Sequence, residues 1–299
     1  MLIKKNAFFK RLFFCWAVII AVAGFSVTAA DAAVGISSQV RLTNSFDENW
    51  LFFKGDAQNA ANAGFDDATW RKLNVPHDWS IEGTFDEKNP TGGAGGFLPG
   101  GVGWYRKHFT VPNAMNNRRV FIEFDGVMAN SDVWINGVHL EKRPYGYVSF
   151  GYELTDYIQS ESGKDNIIAV RADNSGQPAS RWYTGAGIYR HVRLVVTDAV
   201  HIKQWGTFVS TPQISENQAT VKVRSEVVNQ ANTPQTVSLE ISLVAPNGKI
   251  VQTTETNSQT IEPGKTFDFE KQMTVKNPIR WDISNPVLYQ AIVNTAVSR

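Results

Sequence analysis

The segment 181–190 carries the residue types best suited to holding a polar ligand. Two arginines and three aromatic residues lie there beside two glycines. A sugar presents an apolar C–H face, which an aromatic ring can cover, and a rim of hydroxyls, which a multi-donor arginine can reach. The segment therefore predicts a sugar contact. The alternative is that Trp182 and Tyr183 belong to a core and that Arg190 pairs with an acid in a sheet.

A second segment, 92–103, contains seven glycines but lacks the features of a phosphate-binding loop. No Gly-Lys-Ser/Thr follows it, no G-x-G-x-x-G register exists, and it leads into a predicted strand. Phosphate loops need a helix N-terminus to supply oriented N–H groups. Two interpretations stay open: a flexible surface loop, or a loop that packs closely on a ligand or another domain.

Catalytic and metal-binding groups are not evident in the sequence. His77 and Asp78 are adjacent, but neighbours on an extended chain point to opposite faces, so a structural role is expected for both. No G-x-S-x-G motif is present, and the five histidines are scattered without metal-ligand spacing. Glycosidic hydrolysis usually takes two carboxyls ~5–9 Å apart, and the sequence indicates no such pair. We therefore expect no catalytic residue, metal site or cofactor here.

The elements that must position these residues are predicted to be strands. Short alternating runs are punctuated by Gly, Pro, Asn and Asp, a pattern typical of an all-β sandwich. Asn136-Gly137 between two β-prone runs predicts a tight hairpin, because both turn positions need positive φ. The predicted strands of this half are 104–111, 120–124, 132–135, 138–140, 166–171 and 189–196.

Beyond Asp198 the composition changes to Thr, Ser, Val and Gln, with few aromatic residues. Five strands are predicted there, and Trp205 lies in a possible sixth at 205–210. An immunoglobulin-like sandwich has about seven strands, so this half is expected to be incomplete. The five are 220–228, 236–244, 250–256, 267–275 and 288–297.

The N-terminus resembles a secretory signal peptide, predicted over 1–32. Four basic residues precede an apolar run at 12–27, and Ala30-Asp31-Ala32 offers small residues for cleavage. Cys15, the single cysteine, lies in that run, so the mature chain has no disulfide. Removing 1–32 takes away four basic residues and Asp31 and leaves 25 basic against 27 acidic residues, which gives no reason to expect nucleic acid. We expect an exported protein, periplasmic or extracellular, without a stable membrane span after cleavage.

Taken in order, several blocks resemble the N-terminal part of glycoside hydrolase family 2, in its bacterial β-galactosidase branch. The most specific joins Ser180-Arg181-Trp182-Tyr183 to Gly187-Ile188-Tyr189-Arg190. The others are 74–83, 89–93, 96–107, 124–127, 131–137, 144–147, 168–171 and, in the second half, 281–282 and 285–289.

The resemblance implies a galactose-binding-like jelly-roll sandwich over 38–198 and an immunoglobulin-like sandwich, truncated, over 199–299. It also implies that the catalytic (β/α)₈ barrel, with its two glutamates, is absent from this chain. Arg181 is expected to reach into the active site and bind galactose. Asn89 is expected to contact sugar as well, and Trp182 and Tyr183 to support them.

The resulting functional hypothesis is the non-catalytic N-terminal part of an exported retaining glycoside hydrolase acting on β-galactosides. Its partners would be a β-galactoside or related glycan and the protein's own C-terminal barrel. One alternative is a secreted carbohydrate-binding protein of two sandwiches, and another is a structural or adhesive protein without sugar affinity. β-Glucuronidases and β-mannosidases share the implied architecture.

Overall fold

The computed structural model describes residues 41–111, 118–159, 161 and 163–298. The predicted signal peptide at 1–32, with Cys15, lies outside the described residues. In the described part, the regular elements are seventeen strands and one 3₁₀ turn at Gly93–Gly95. No helix in this part has the length and apolar character needed to cross a membrane. The prediction of an all-β chain is confirmed.

Ten strands build the first sandwich from two antiparallel sheets, in the orders β1-β10-β5-β8 and β3-β2-β4-β9-β6-β7. From β4 to β10 the chain crosses to the other sheet at every connection except the β6–β7 hairpin, as in the predicted jelly roll. The strands are β1 Arg41–Ser45, β2 Trp50–Lys54, β3 Arg71–Leu73, β4 Val102–Phe109, β5 Arg119–Phe124, β6 Ser131–Ile135, β7 Val138–Arg143, β8 Phe150–Glu153, β9 Asn166–Asp173 and β10 Val192–Thr197.

The core between these sheets follows from the period-2 pattern of the strands. Val120, Ile122 and Phe124 on β5 all point inward and are fully buried. Each such side chain contributes roughly 1.5–3 kcal/mol by leaving water. Asn136 and Gly137 connect β6 to β7 with φ of 50° and 86°, which confirms the predicted hairpin turn.

The outer face of the six-stranded sheet is also covered, by the loop between β2 and β3. Trp104 stacks on Trp134 with ring centroids 5.3 Å apart. Arg106, fully buried, donates from Nε to Asp67 at 2.6 Å and from its other nitrogens to loop carbonyls. A charged side chain thus holds this loop on the sheet.

The second sandwich contains seven strands in two sheets. One has the order β11-β12-β16, and the other has β13 at its centre, with β14 and β15 on one edge and β17 on the opposite edge. Its core is built mainly from Val, Leu and Ile. The strands are β11 Val200–Ile214, β12 Gln218–Asn229, β13 Gln235–Val244, β14 Ile250–Glu255, β15 Gln259–Ile261, β16 Thr266–Lys276 and β17 Gln290–Val297.

The predicted strand count of this half was wrong. The three-residue strand β15 was missed, because it is too short to show alternation. The possible strand at 205–210 is the middle of the longer β11, whose pairing with β12 shifts register between Ile202 and Thr207. Trp205 lies in that irregularity with φ of 53° and an exposed side chain. Incompleteness of 199–299 stays a prediction.

Candidate functional site

The segment with Arg181, Trp182 and Tyr183 lies in the loop between β9 and β10 of the first sandwich. Trp182 is 60% exposed and Tyr183 is 37% exposed, so the alternative that both are core residues is wrong. Arg190 is exposed as well and has no ion pair among the described residues. The loop displays its large side chains at the surface.

Arg181 is exposed, and no hydrogen bond or ion pair joins it to the described residues. Its guanidinium carries five N–H donors. In this structure all of those donors are available to a ligand.

The side chain of Asp78 tethers the Arg181 loop by hydrogen bonds, although Asp78 lies about a hundred residues earlier in the chain. Its Oδ2 accepts from the Tyr183 hydroxyl at 2.6 Å, and its Oδ1 accepts from the backbone N–H of Ala186 at 2.9 Å and of Ser80 at 3.0 Å. Two effects raise the pKa of the Tyr183 hydroxyl: partial burial, which is the larger, and the hydrogen bond to Asp78. Tyr183 therefore stays protonated and serves as a tether of the loop.

His77 anchors the far end of the same loop to the core. Its backbone N–H donates to the carbonyl of Ile188 at 2.7 Å, and its Nδ1 lies 2.8 Å from the Tyr105 hydroxyl. Gly187 has φ of 98°, and a Cβ there would come within 2.0 Å of that hydroxyl, so glycine is required. Burial lowers the pKa of His77, although Glu82 opposes the shift. The predicted structural roles of His77 and Asp78 agree with these contacts.

Asn89 is occupied within its own loop. Its amide nitrogen donates to the carbonyls of Thr84 at 3.3 Å and Phe97 at 2.8 Å. No hydrogen bond among the described residues joins it to Arg181, Trp182 or Tyr183. The structure therefore gives Asn89 a role in loop shape, and its contact with sugar stays a prediction.

The glycine-rich segment packs against the Arg181 loop. The buried side chain of Asn174 accepts from the backbone N–H of Gly101 at 2.9 Å and donates to the carbonyl of Gly185 at 2.8 Å. Ser80 donates to the carbonyl of Pro99 at 2.6 Å. The segment 92–103 thus packs on other loops of the same sandwich, and its packing on a ligand or another domain stays a prediction.

Two exposed tyrosines that the sequence analysis did not predict lie beside Trp182. The indole Nε1 of Trp182 donates to the Tyr147 hydroxyl at 3.0 Å, and the ring of Tyr145 lies 5.6 Å from that of Tyr147. Both belong to the block 144–147 of the resemblance to family 2, which is the sequence signal that could have pointed to them. Their proximity to Trp182 could not be inferred, because it joins the β7–β8 loop to the β9–β10 loop.

The arrangement presents groups that can contact a ligand. Asp78 contacts the Arg181 loop, and both of its oxygens already accept hydrogen bonds. Within the described residues no three His, Asp or Glu side chains are grouped to hold a metal ion. A cation, exposed aromatic rings and a rigid loop base are what this surface offers.

Comparison with known proteins gives matches over most of the chain. The model described as "Glycosyl hydrolases family 2, sugar binding domain" matches residues 44–198, and "Glycosyl hydrolases family 2" matches residues 200–298. A β-galactosidase of Bacteroides ovatus is 47% identical over 84% of this chain and 29% of its own length. A putative β-glucuronidase of Formosa agariphila is 38% identical over 84% of this chain and 23% of its own.

Among solved structures, a family 2 member from Bacteroides cellulosilyticus superposes with a TM-score of 0.81 at 39% identity. The match covers 85% of this chain and 33% of that one. The chain therefore spans about a third or less of the length of these relatives. Since the two family models together cover both sandwiches, the chain belongs to glycosyl hydrolase family 2.

Proposed function

We propose that this chain is the N-terminal, non-catalytic part of an exported retaining glycoside hydrolase that acts on β-galactosides. Arg181 carries the proposal, because it is an exposed, unpaired cation on a loop whose base is held by Asp78 and His77. Such a group can position a hexose by several hydrogen bonds at once. The bond-breaking carboxylates would belong to a further domain of the longer protein.

The choice of a β-galactoside rests on the 47% identical relative, which is a β-galactosidase. A β-glucuronide is a second candidate, because the free guanidinium of Arg181 is also suited to a sugar carboxylate. Export rests on the predicted signal peptide at 1–32. The proposal includes no cofactor.

The experiment is a titration of the purified chain with methyl β-galactoside and methyl β-glucuronide, in which saturation-transfer NMR measures binding. We expect methyl β-galactoside to bind weakly, because the site is open on one side. Arg181→Ala should lower that affinity about tenfold or more, the effect of losing charged hydrogen bonds. Arg190→Ala is the matched control, since it removes another exposed arginine from the same loop.

Equal binding by the wild-type chain and Arg181→Ala would refute the assignment of Arg181. Stronger binding of the glucuronide would move the substrate class to β-glucuronides. The chain alone should also fail to hydrolyse a chromogenic β-galactoside. Turnover that persists through extensive purification would contradict its non-catalytic role.

A further inference from the structure

An aromatic surface spans two loops, one of which carries Arg181. Tyr145 is 62% exposed, Tyr147 is 43% exposed and Trp182 is 60% exposed. Large aromatic side chains grouped at a surface are uncommon without a binding role, because exposing them to water is unfavourable. We call these three residues the aromatic platform.

The three rings are joined into one unit. The Trp182 indole N–H is satisfied by the Tyr147 hydroxyl at 3.0 Å, so the polar edge of the indole is occupied while much of the side chain remains exposed. Tyr145 packs against Tyr147 at 5.6 Å with an interplanar angle of 65°. A ring whose polar group is already paired presents its apolar surface to a ligand.

The backbone beneath the platform is held in place from both sides. The Tyr189 hydroxyl donates to the carbonyl of Gly146 at 2.9 Å. Gly146 lies against Met128, where a Cβ would come within 2.5 Å of the sulfur, and Met128 pairs with Gly187 through two backbone hydrogen bonds. The two loops therefore share one buried support, which lowers the conformational cost of binding.

We propose that the aromatic platform binds the C–H face of a second pyranose, next to the sugar held by Arg181. Trp182 follows Arg181 directly in the chain, so their Cα atoms are ~3.8 Å apart, a separation that one disaccharide spans. The ligand class is then a β-galactoside that carries at least one further sugar residue. This inference rests on the proposed function and specifies its substrate class.

The test compares the affinity of the whole chain for methyl β-galactoside with its affinity for β-linked galactobiose and galactotriose. In the wild-type chain the disaccharide should bind about three- to tenfold more tightly, the effect of one added stacking contact. Tyr145→Ala and Tyr147→Ala should each reduce the ratio of disaccharide to monosaccharide affinity towards one. Tyr147→Phe, which keeps the ring and loses the bond to Trp182, should reduce the ratio less.

Phe208→Ala is the matched control, since it removes a 65% exposed aromatic ring from the second sandwich and should leave the ratio unchanged. Circular dichroism of each variant establishes that it is folded. Equal affinity for the mono- and disaccharide, or a ratio that survives both tyrosine variants, would overturn the platform. If Arg181→Ala also leaves the affinity for methyl β-galactoside unchanged, the proposed function fails as well. If Arg181→Ala lowers that affinity while the tyrosine variants leave the ratio unchanged, only the platform is overturned.

Discussion

The two sandwiches use polar residues in different ways. In the first, charged and amide side chains such as Arg106, Lys107 and Asn174 are buried, and each holds a loop. In the second, Ser225 and Ser242 pair with neighbouring hydroxyls within the sheets, and the buried amide of Asn229 donates to the carbonyls of Thr233 and Ile261. Among the described residues, the first sandwich therefore buries charged side chains, whereas the buried polar side chains of the second include no Asp, Glu, Lys or Arg.

The candidate site lies on a loop of the first sandwich that buried side chains hold in place. A loop can present unpaired side chains to a ligand only if its backbone groups are otherwise satisfied. The backbone groups of this loop form hydrogen bonds with the side chains of Asp78 and Asn174 and with the backbone of His77. The side chains of Arg181 and Trp182 are therefore left exposed. In the second sandwich the buried amide of Asn229 holds the loop after β12 in a similar way, but no loop described there carries a cluster of exposed aromatic residues beside an unpaired arginine.

The largest effect expected from this contrast is the loss of a buried ion pair. Arg106→Met should lower the free energy of unfolding by about 3–5 kcal/mol, because Asp67 loses the guanidinium and retains His108, while several loop carbonyls lose their donor. Lys222→Met, which removes the exposed pair with Glu270 in the second sandwich, should cost less than about 1 kcal/mol. Denaturant unfolding followed by tryptophan fluorescence measures both. Similar costs for the two variants would contradict the contrast.

A smaller effect is expected at the base of the site. Asp78→Ala removes an acceptor shared by Tyr183, Ala186 and Ser80 and should make opening of the loop easier by about 2 kcal/mol. Hydrogen exchange of the Ala186 amide reports that opening directly.

Asp78→Asn keeps one carbonyl oxygen as an acceptor and should have a weaker effect. The control in the second sandwich is Asp282→Ala, at a carboxylate that accepts from Ser284 in an exposed turn. It should leave the surrounding exchange rates unchanged. Unaltered exchange at Ala186 in Asp78→Ala would show that Asp78 does not tether the loop.

The smallest effects concern pH, and two histidines, His108 in the first sandwich and His201 in the second, should respond with opposite signs. Burial disfavours protonation of His108, but its hydrogen bonds to Asp165 and Asp67 together raise its pKa. His108 therefore adds stability below its unfolded pKa of about 6.5, and this is lost as the pH rises through the folded pKa. Burial lowers the pKa of His201, so its contribution is present above pH 6.5 and is lost as the pH falls.

The measurement is the free energy of unfolding at pH 7 and pH 5 for the wild-type chain, His108→Gln and His201→Gln. His108→Gln should lose more stability at pH 5 than at pH 7, and His201→Gln should lessen the fall in stability towards pH 5. The same sign for both differences would contradict this assignment.

The strands that could be predicted are those with a clear alternation of their own. Strands β5, β12 and β16 bury alternate residues, and their positions were predicted to within a few residues. Strands β3 and β15 have three residues each and form only because a neighbour supplies their partners. A run that short has no periodicity to recognise, so the sequence could not reveal it.

The candidate site also has features that the sequence predicts and features that depend on tertiary structure. The residue types in 181–190, the resemblance to family 2 and the positive-φ turn at Asn136-Gly137 could all be established from the order of residues, because each depends on local chemistry or on a contiguous motif. The exposure of Trp182, its bond to Tyr147 and the tether from Asp78 to Tyr183 depended on tertiary structure. These contacts join residues 35 and 105 positions apart, and only the packing of the loops on the sandwich brings them within hydrogen-bonding distance.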